Sequence, residues 1–342
     1  MNKICYINST ASISSQNTFR NKNFFEEIQL NSDKTTKALE PNYNEIIKKI
    51  SIRRMSKITK MGIATAQSAL EKAEILIPDA IITGTGMGCL ENSEKFLKSV
   101  IESNEEFLSP TAFIQSTHNT VGAQIALNLK CNNYNMTFVH GSISFELALI
   151  DAQLMILENK AENVLVGGID ELGKKIVDDT LRLENKYKNG IGVPLSEGSN
   201  FFVISSNKTN NSLAILRRVE VYHKIHENEI VNKISLFLKK IDIIKVDAII
   251  LGLNGDVWDK YYKILTNSLF NKTPQIQYKN VSGEFSTSSS FGLWLGTEII
   301  NKQHIPRELY LNNLEYNEIN TILLVNQFKG TQFSFTLIEA VD

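Results

Sequence analysis

TFVHGSISFELALIDAQLMILENKAENVLVGGIDE, residues 137–171, runs through a strand, a sharp turn, a helix and a second strand in immediate succession. The β-rich run Met136–Val139 meets the turn His140–Gly141–Ser142. Phe145–Leu157 follows as a helix that is apolar nearly all round, the pattern of a buried helix. Asn163–Gly168 is a short β-branched run ended by paired glycines, as expected of a strand covered on both faces. Outward from this stretch the same grammar recurs. Asp79–Thr83 predicts a buried strand that stops at Gly84, Gly86 and Gly88, with a helix over Glu91–Glu102. Upstream, Met61, Ile63, Ala64, Ala66 and Leu70 keep helical spacing and predict a helix over Met55–Lys72. A further helix is expected from near Asn44, and a strand-like start at Ile4–Ile7. Strands alternating with helices make an α/β fold with sheets covered on both faces.

An internal comparison extends the pattern. DAIITGTGMG begins at Asp79 and DAIILGLNGD at Asp247, sharing Asp, Ala, Ile, Ile and the Gly two residues on. A helical stretch precedes each copy and an amphipathic helix follows it, and Pro110 and Pro274 then open what look like comparable segments. Matching order of flanking elements points to a duplicated α/β half.

Composition narrows the function. The 342 residues carry 36 basic and 37 acidic side chains, so no polybasic surface for nucleic acid or membrane is indicated. No apolar run approaches the roughly 18 residues of a membrane span, and the N-terminus does not read as a signal peptide. Cys5, Cys89 and Cys131 lie far apart without a CxxC pair, which fits reduced thiols in a cytoplasm rather than a disulfide framework or zinc site. His223, His226 and His304 lack acidic or Cys companions at ligand spacing, so no metal is expected. The glycines of Gly84–Gly88 do not form GxGxxG, and no dinucleotide cofactor is indicated.

The junction at Ser142 is the place for chemistry. A side chain there meets a helix N-terminus, whose free N–H groups and dipole stabilise negative charge. Ser142 can be read as a nucleophile, or as a helix cap, a role serine fills well. No adjacent base is evident and the motif is not GxSxG; His118 and His140 are the nearest imidazoles in sequence. The basic run Lys48, Lys49, Arg53, Arg54, Lys57 and Lys60 reads as a solvated helix face or as a dock for an acidic partner. Cys89 reads as a buried thiol.

Fragments in order then carry a resemblance to the β-ketoacyl synthase family of the thiolase-like superfamily over nearly the whole chain. ITGTGMG resembles the first core strand and turn, and SPTAFIQSTHNTVGAQIA the segment with a family Asn, here Asn119. Residues 137–171 resemble the nucleophile region, and PLSEGSNFFVI the EGxxxxVL segment. KNVSGEFSTSSSFG is similar to the KSxxGHxxxAAG motif and VNQFKGTQFSF to the terminal NxFGFGGTN loop. The resemblance implies a five-layer αβαβα fold of two duplicated βαβαβαββ halves, expected over residues 1–206 and 207–342.

It also implies what is missing. An active relative uses a Cys to take the acyl chain and two His residues to assist decarboxylation. Those positions fall on Ser142, Gly252 and Glu284, while Lys279 matches the family Lys and Phe328 the gating Phe. A hydroxyl is a far weaker nucleophile than a helix-activated thiolate, and a carboxylate at Glu284 would repel the enolate charge. The expected site is therefore degenerate, with His118, Asn119, His140 and Phe145 as candidate substrate contacts. YINSTASISSQNTF, IRRMSKITKMGIATAQSAL and GSISFELALIDA most resemble ketosynthase-like proteins of bacterial aryl-polyene and flexirubin-type pigment clusters. The function so implied is that of a chain-length factor, silent on its own and paired with an active ketosynthase in a heterodimer. It would pair around Asn135–Gly141 and help shape the tunnel for a growing chain held by the phosphopantetheine of an acyl carrier protein, with no cofactor of its own. The alternatives are a Ser142-dependent acyltransferase or thioesterase on such thioesters, and a decayed scaffold.

Overall fold

The computed structural model describes residues 4–30, 33–47, 52–53, 55–106, 108–187 and 190–341. Its N-terminal strands are β1 (Tyr6–Ile13), β2 (Ala80–Gly84), β3 (Tyr134–Phe138), β4 (Asn163–Asp170) and β5 (Gly198–Ser205). β6 (Ala214–His223), β7 (Ala248–Leu251), β8 (Gln275–Gln277), β9 (Thr321–Phe328) and β10 (Gln332–Glu339) follow. The helices are α1 (Lys57–Lys72), α2 (Leu90–Glu102), α3 (Pro110–Ser116), α4 (Thr120–Leu129), α5 (Ser144–Leu157) and α6 (Lys174–Tyr187). After β6 come α7 (Ile230–Lys239), α8 (Lys260–Asn267), the single turn α9 (Lys279–Ser282) and α10 (Ser289–Lys302).

The strands form one hydrogen-bonded sheet in the order β3-β2-β4-β5-β1-β6-β10-β9-β7-β8. Within each run of five the order is third, second, fourth, fifth, first, and the directions repeat as well. β2 is parallel to β3 and β4, and β4–β5–β1 are antiparallel. β7 is parallel to β8 and β9, and β9–β10–β6 are antiparallel. Even single hydrogen bonds recur: Asp79 Oδ2 accepts from the Glu162 and Asn163 amides, and Asp247 Oδ2 from those of Asn320 and Thr321.

Alternation along the strands builds the layers. Ile81, Leu165, Phe201 and Val203 point outward to α1 and α4. Ile82, Val164, Val166 and Phe202 point the other way, to a middle layer of α5 and α10 shared with Ala248, Ile250, Ile322 and Leu324. Ile249, Leu251, Leu323 and Val325 face α7 and α8 on the far side. The result is the five-layer αβαβα arrangement. Residues i and i+1 of each parallel strand each find an apolar partner, which is why these strands are continuous hydrophobic runs. Gly84 permits the closeness, since a Cβ there would lie 2.6 Å from the Ser144 carbonyl of α5.

Several expectations are corrected. β1 extends through Asn8–Ser12, a polar run that sits in mid-sheet with its side chains buried. The helix expected from near Asn44 starts as a 3-10 turn, Tyr43–Glu45, and residues 48–51, over which it would continue, lie outside the described residues. Pro110 opens helix α3, whereas Pro274 leads into strand β8, so the two prolines are not equivalent. In the basic run, Lys48, Lys49 and Arg54 lie outside the described residues. Lys57 is no free cation, because it pairs with Glu197 and sits 3.8 Å from Glu40. No helix among the described residues is long and apolar enough to cross a membrane.

Candidate functional site

Strand β3 ends in a left-handed Gly141 (φ +61°) that opens the 3-10 turn Gly141–Ile143 and turns the chain into α5. Ser142 does not cap that helix. Its hydroxyl donates to Gln332 Oε1 at 2.6 Å, across to the C-terminal half. No side chain caps α5; its first residue, Ser144, instead closes the turn before it, with Oγ accepting from the His140 amide and donating to the Gly141 carbonyl.

Opposite Ser142, β8 delivers Tyr278 and α9 delivers Lys279, and the β9–β10 hairpin delivers Asn326, Gln327, Phe328 and Gln332. With Glu284, Ser286, Ser288 and Ser289, these side chains line a half-open pocket of about 10 Å³, room for a single water. Ser142, Lys279, Glu284 and Phe328, which the sequence singles out, thus come together around one point. Lys279 Nζ lies 2.6 Å from Glu284 Oε2 and donates to Asn254 Oδ1 at 2.9 Å, with both charged side chains buried. Ser288 Oγ adds a donor to Glu284 at 3.3 Å. A buried pair of this kind holds together because each partner would be costly alone.

Gly252 ends β7 directly behind the cavity. A Cβ there would lie 2.1 Å from Asn326 Oδ1 and 3.1 Å from Tyr278 Oη. Tyr278 Oη donates to Asn326 Oδ1 at 2.7 Å, so tyrosine and asparagine together fill the space beside position 252. Burial pushes the Tyr278 and Tyr262 hydroxyls well above the ordinary tyrosine range, which keeps both neutral donors.

The other candidates lie elsewhere. Phe145 is buried in the middle layer with its ring 5.6 Å from Phe202, and does not line the cavity; its place on an all-round apolar helix was the available signal. His118, Asn119 and His140 are exposed near the β3 edge, and no imidazole lines the cavity. Gln332, an amide with no useful basicity, is what meets Ser142.

Residues the sequence did not single out support this arrangement. Asp170, at the end of β4, is 5% exposed and accepts five hydrogen bonds. Its Oδ1 takes Thr85 Oγ1 and the Gly86 and Met87 amides, and its Oδ2 takes the amide and hydroxyl of Thr287. One carboxylate thus fastens the glycine turn of the N-terminal half to the loop before α10. Burial raises its carboxyl above the usual range. Next to it, Glu171 accepts from the Glu91 amide through Oε1, while burial, then its neighbours Glu91 and Glu197, push it up to about 7. Glu171 lines a second, larger cavity of about 570 Å³ beneath α6, with Trp258, Phe285 and Phe328. Cys89 is buried, and burial reinforced by Glu171 pushes its thiol up to about 12, so it is inert as expected.

The family model for the N-terminal domain of beta-ketoacyl synthases matches residues 28–240. No curated protein matches the chain. Among solved structures, the ishigamide ketosynthase/chain length factor superposes with a TM-score of 0.79 at 14% identity, over 100% of both chains. A beta-ketoacyl synthase from Burkholderia phymatum STM815 gives 0.77 at 12% identity, over 99% of this chain and 100% of its own. A ketosynthase, ApeO, in complex with its chain length factor, ApeC, from Xenorhabdus doucetiae gives 0.75 at 14% identity, over 99% of this chain and 98% of its own.

Proposed function

The chain belongs to the β-ketoacyl synthase family, and on that premise we propose that it is a non-catalytic ketosynthase-like subunit, a chain-length factor. It pairs with an active ketosynthase and shapes the space for a chain growing on an acyl carrier protein, in polyene-pigment-type synthesis. In this reading residues 1–206 and 207–342 are its two halves, and Ser142, Gly252 and Glu284 stand where the reactive thiol and two imidazoles of an active relative would be. What supports the reading is the filled site. Beside Ser142 there is room for about one water, walled by an ion pair and backed by Tyr278 and Asn326, and the larger cavity of about 570 Å³ lies beyond Glu284, Ser286 and Phe328. Two of the structures it resembles are titled with a chain length factor.

The pairing surface in this reading is the β3 edge. β3 hydrogen-bonds to β2 on one side and ends the sheet on the other, and Tyr134 and Met136 are each 40% exposed along it. Phe113 and Ile114 of α3 and Leu127 of α4 are also exposed. An open strand edge beside solvent-facing apolar side chains is a natural seat for a partner.

Co-expression with candidate ketosynthases is the test. A stable heteromeric complex is expected, together with no acyl adduct on this chain by mass spectrometry after exposure to an acyl-loaded carrier protein. Homodimers alone, or an acyl group on Ser142, would overturn the proposal, the latter in favour of acyl transfer.

A further inference from the structure

The outer face of the C-terminal half carries apolar side chains that nothing in the described chain covers. α7 buries Ile230, Ile234, Phe237 and Leu238 in the far layer, and an amphipathic helix so placed turns polar residues to solvent. Leu236 is nonetheless 46% exposed, and Ile244, just after the helix, is 100% exposed. Asp242, in a left-handed conformation (φ +57°), turns the chain there, and the Ile243 amide donates back to the Leu238 carbonyl. Ile243 then packs against the core while Ile244 stands clear of it at the end of α7.

Lysines accompany these two residues. Residues 230–245 hold Lys233, Lys239, Lys240 and Lys245 against a single acid, Asp242. Lys233, Lys239 and Lys240 share a groove of about 480 Å³ with Leu236 and Tyr222. Lys240 is spent on Glu220, and Lys233 lies 5.8 Å from the centre of the Tyr222 ring. Among the described residues Lys233, Lys239 and Lys245 form no ion pair, so the near balance of charge over the whole chain hides a local positive excess. Lysines at a helix C-terminus suit its dipole, but that accounts neither for Lys233, nearer the other end, nor for the uncovered Leu236 and Ile244. A folded protein partner would need a socket shaped for Ile244. A bilayer takes an isolated apolar side chain of any shape at its acyl boundary and offers many phosphates to flexible lysines.

We propose that the end of α7 is a peripheral docking site for an anionic lipid surface. Ile244 and Leu236 enter the interface, and Lys233, Lys239 and Lys245 meet headgroup phosphates. Contact of this kind is shallow and reversible, because only a few side chains insert. α7 belongs to the C-terminal half and the open β3 edge to the N-terminal half, so the site does not rest on the pairing role.

Sedimentation of the full chain with lipid vesicles tests this. Binding is expected to vesicles of mixed phosphatidylglycerol and phosphatidylcholine, and at least tenfold weaker partitioning to phosphatidylcholine alone or in about 0.5 M salt. Lys239→Glu with Lys245→Glu should cut partitioning more than tenfold, at roughly fivefold for each lysine charge removed. Ile244→Ser should cut it about tenfold at unchanged charge, with Tm unmoved because the side chain touches solvent alone. No sedimentation with either vesicle, equal binding to both, or binding that survives these variants would overturn the proposal. So would a chain that ignores vesicles but uses the same lysines to hold an acidic protein.

Discussion

At position 252 the obstacle to chemistry is steric before it is chemical. An imidazole there would have to displace Asn326 Oδ1, 2.1 Å from the would-be Cβ, and break the bond that Tyr278 makes to it. The double variant Ser142→Cys, Glu284→His is therefore expected to remain below about 1% of an active ketosynthase in malonyl-dependent condensation, given the 10²–10⁴-fold loss usual for one missing group. Gly252→His on top of it should lower Tm rather than restore turnover. The ion pair makes a separate prediction. Lys279→Met leaves Glu284 buried and alone, which costs about 3–5 kcal/mol, while Lys279→Met with Glu284→Leu recovers most of it in urea titrations. Glu171 predicts a pH effect. Its folded pKa of about 7 lies above the ordinary 4.5, so the folded state holds a proton that the unfolded state has released between those values. Its contribution to stability is therefore lost as pH rises from about 4.5 to 7. Glu171→Gln should match the wild type near pH 4.5 and exceed it near pH 8 by on the order of 3 kcal/mol. An unchanged difference across that range would refute the assignment. The sequence displayed these side chains only in part. Ser142, Lys279, Glu284 and Phe328 stand in recognisable motifs, but Tyr278, Asn326 and Gln332 act through partners 48 to 190 positions away, which no local pattern reveals.

Elements show the same division. The parallel strands β2, β4 and β7 were legible because they are covered on both faces and so read as apolar runs. β1 was not, because its buried Ser and Thr side chains resemble a loop; inside, Ser9 Oγ donates to the Ala69 carbonyl at 2.6 Å and Ser12 Oγ to Thr18 Oγ1 at 3.2 Å. The two Asp79-type anchors explain why the repeat was visible at its strand starts and not at the prolines, which serve different elements. Asp170 acts at this scale, because it pins the turn after β2 to the loop before α10. Asp170→Asn places an NH₂ group among five donors. Loss of about 1–3 kcal/mol per donor left bare is expected, enough to show as a clear drop in the urea midpoint. An unchanged midpoint would mean that the two elements are held together by packing alone.

Across the whole molecule, the continuity of the sheet rests on a short seam. Among the described residues β1 and β6 pair at Tyr6↔Ile215 and Ile7↔Ala214, so cohesion between the halves comes mainly from the shared middle layer of α5 and α10. The pairing proposal is tested at this scale too. Met136→Asp on the open β3 edge should weaken association with the ketosynthase at least 10-fold by titration calorimetry while leaving Tm within a few degrees, as usual for a surface change. An affinity that survives the change would place the interface elsewhere. The opposite margin of the sheet is different. β8 has three residues, Ile276 bridges to Tyr310, and the Leu311 amide and Asn312 side chain cover Gln275. One rim is thus available and the other is stoppered. Growth by joining rims must halt once two molecules have met, so the fold that invites a companion also forbids a fibre.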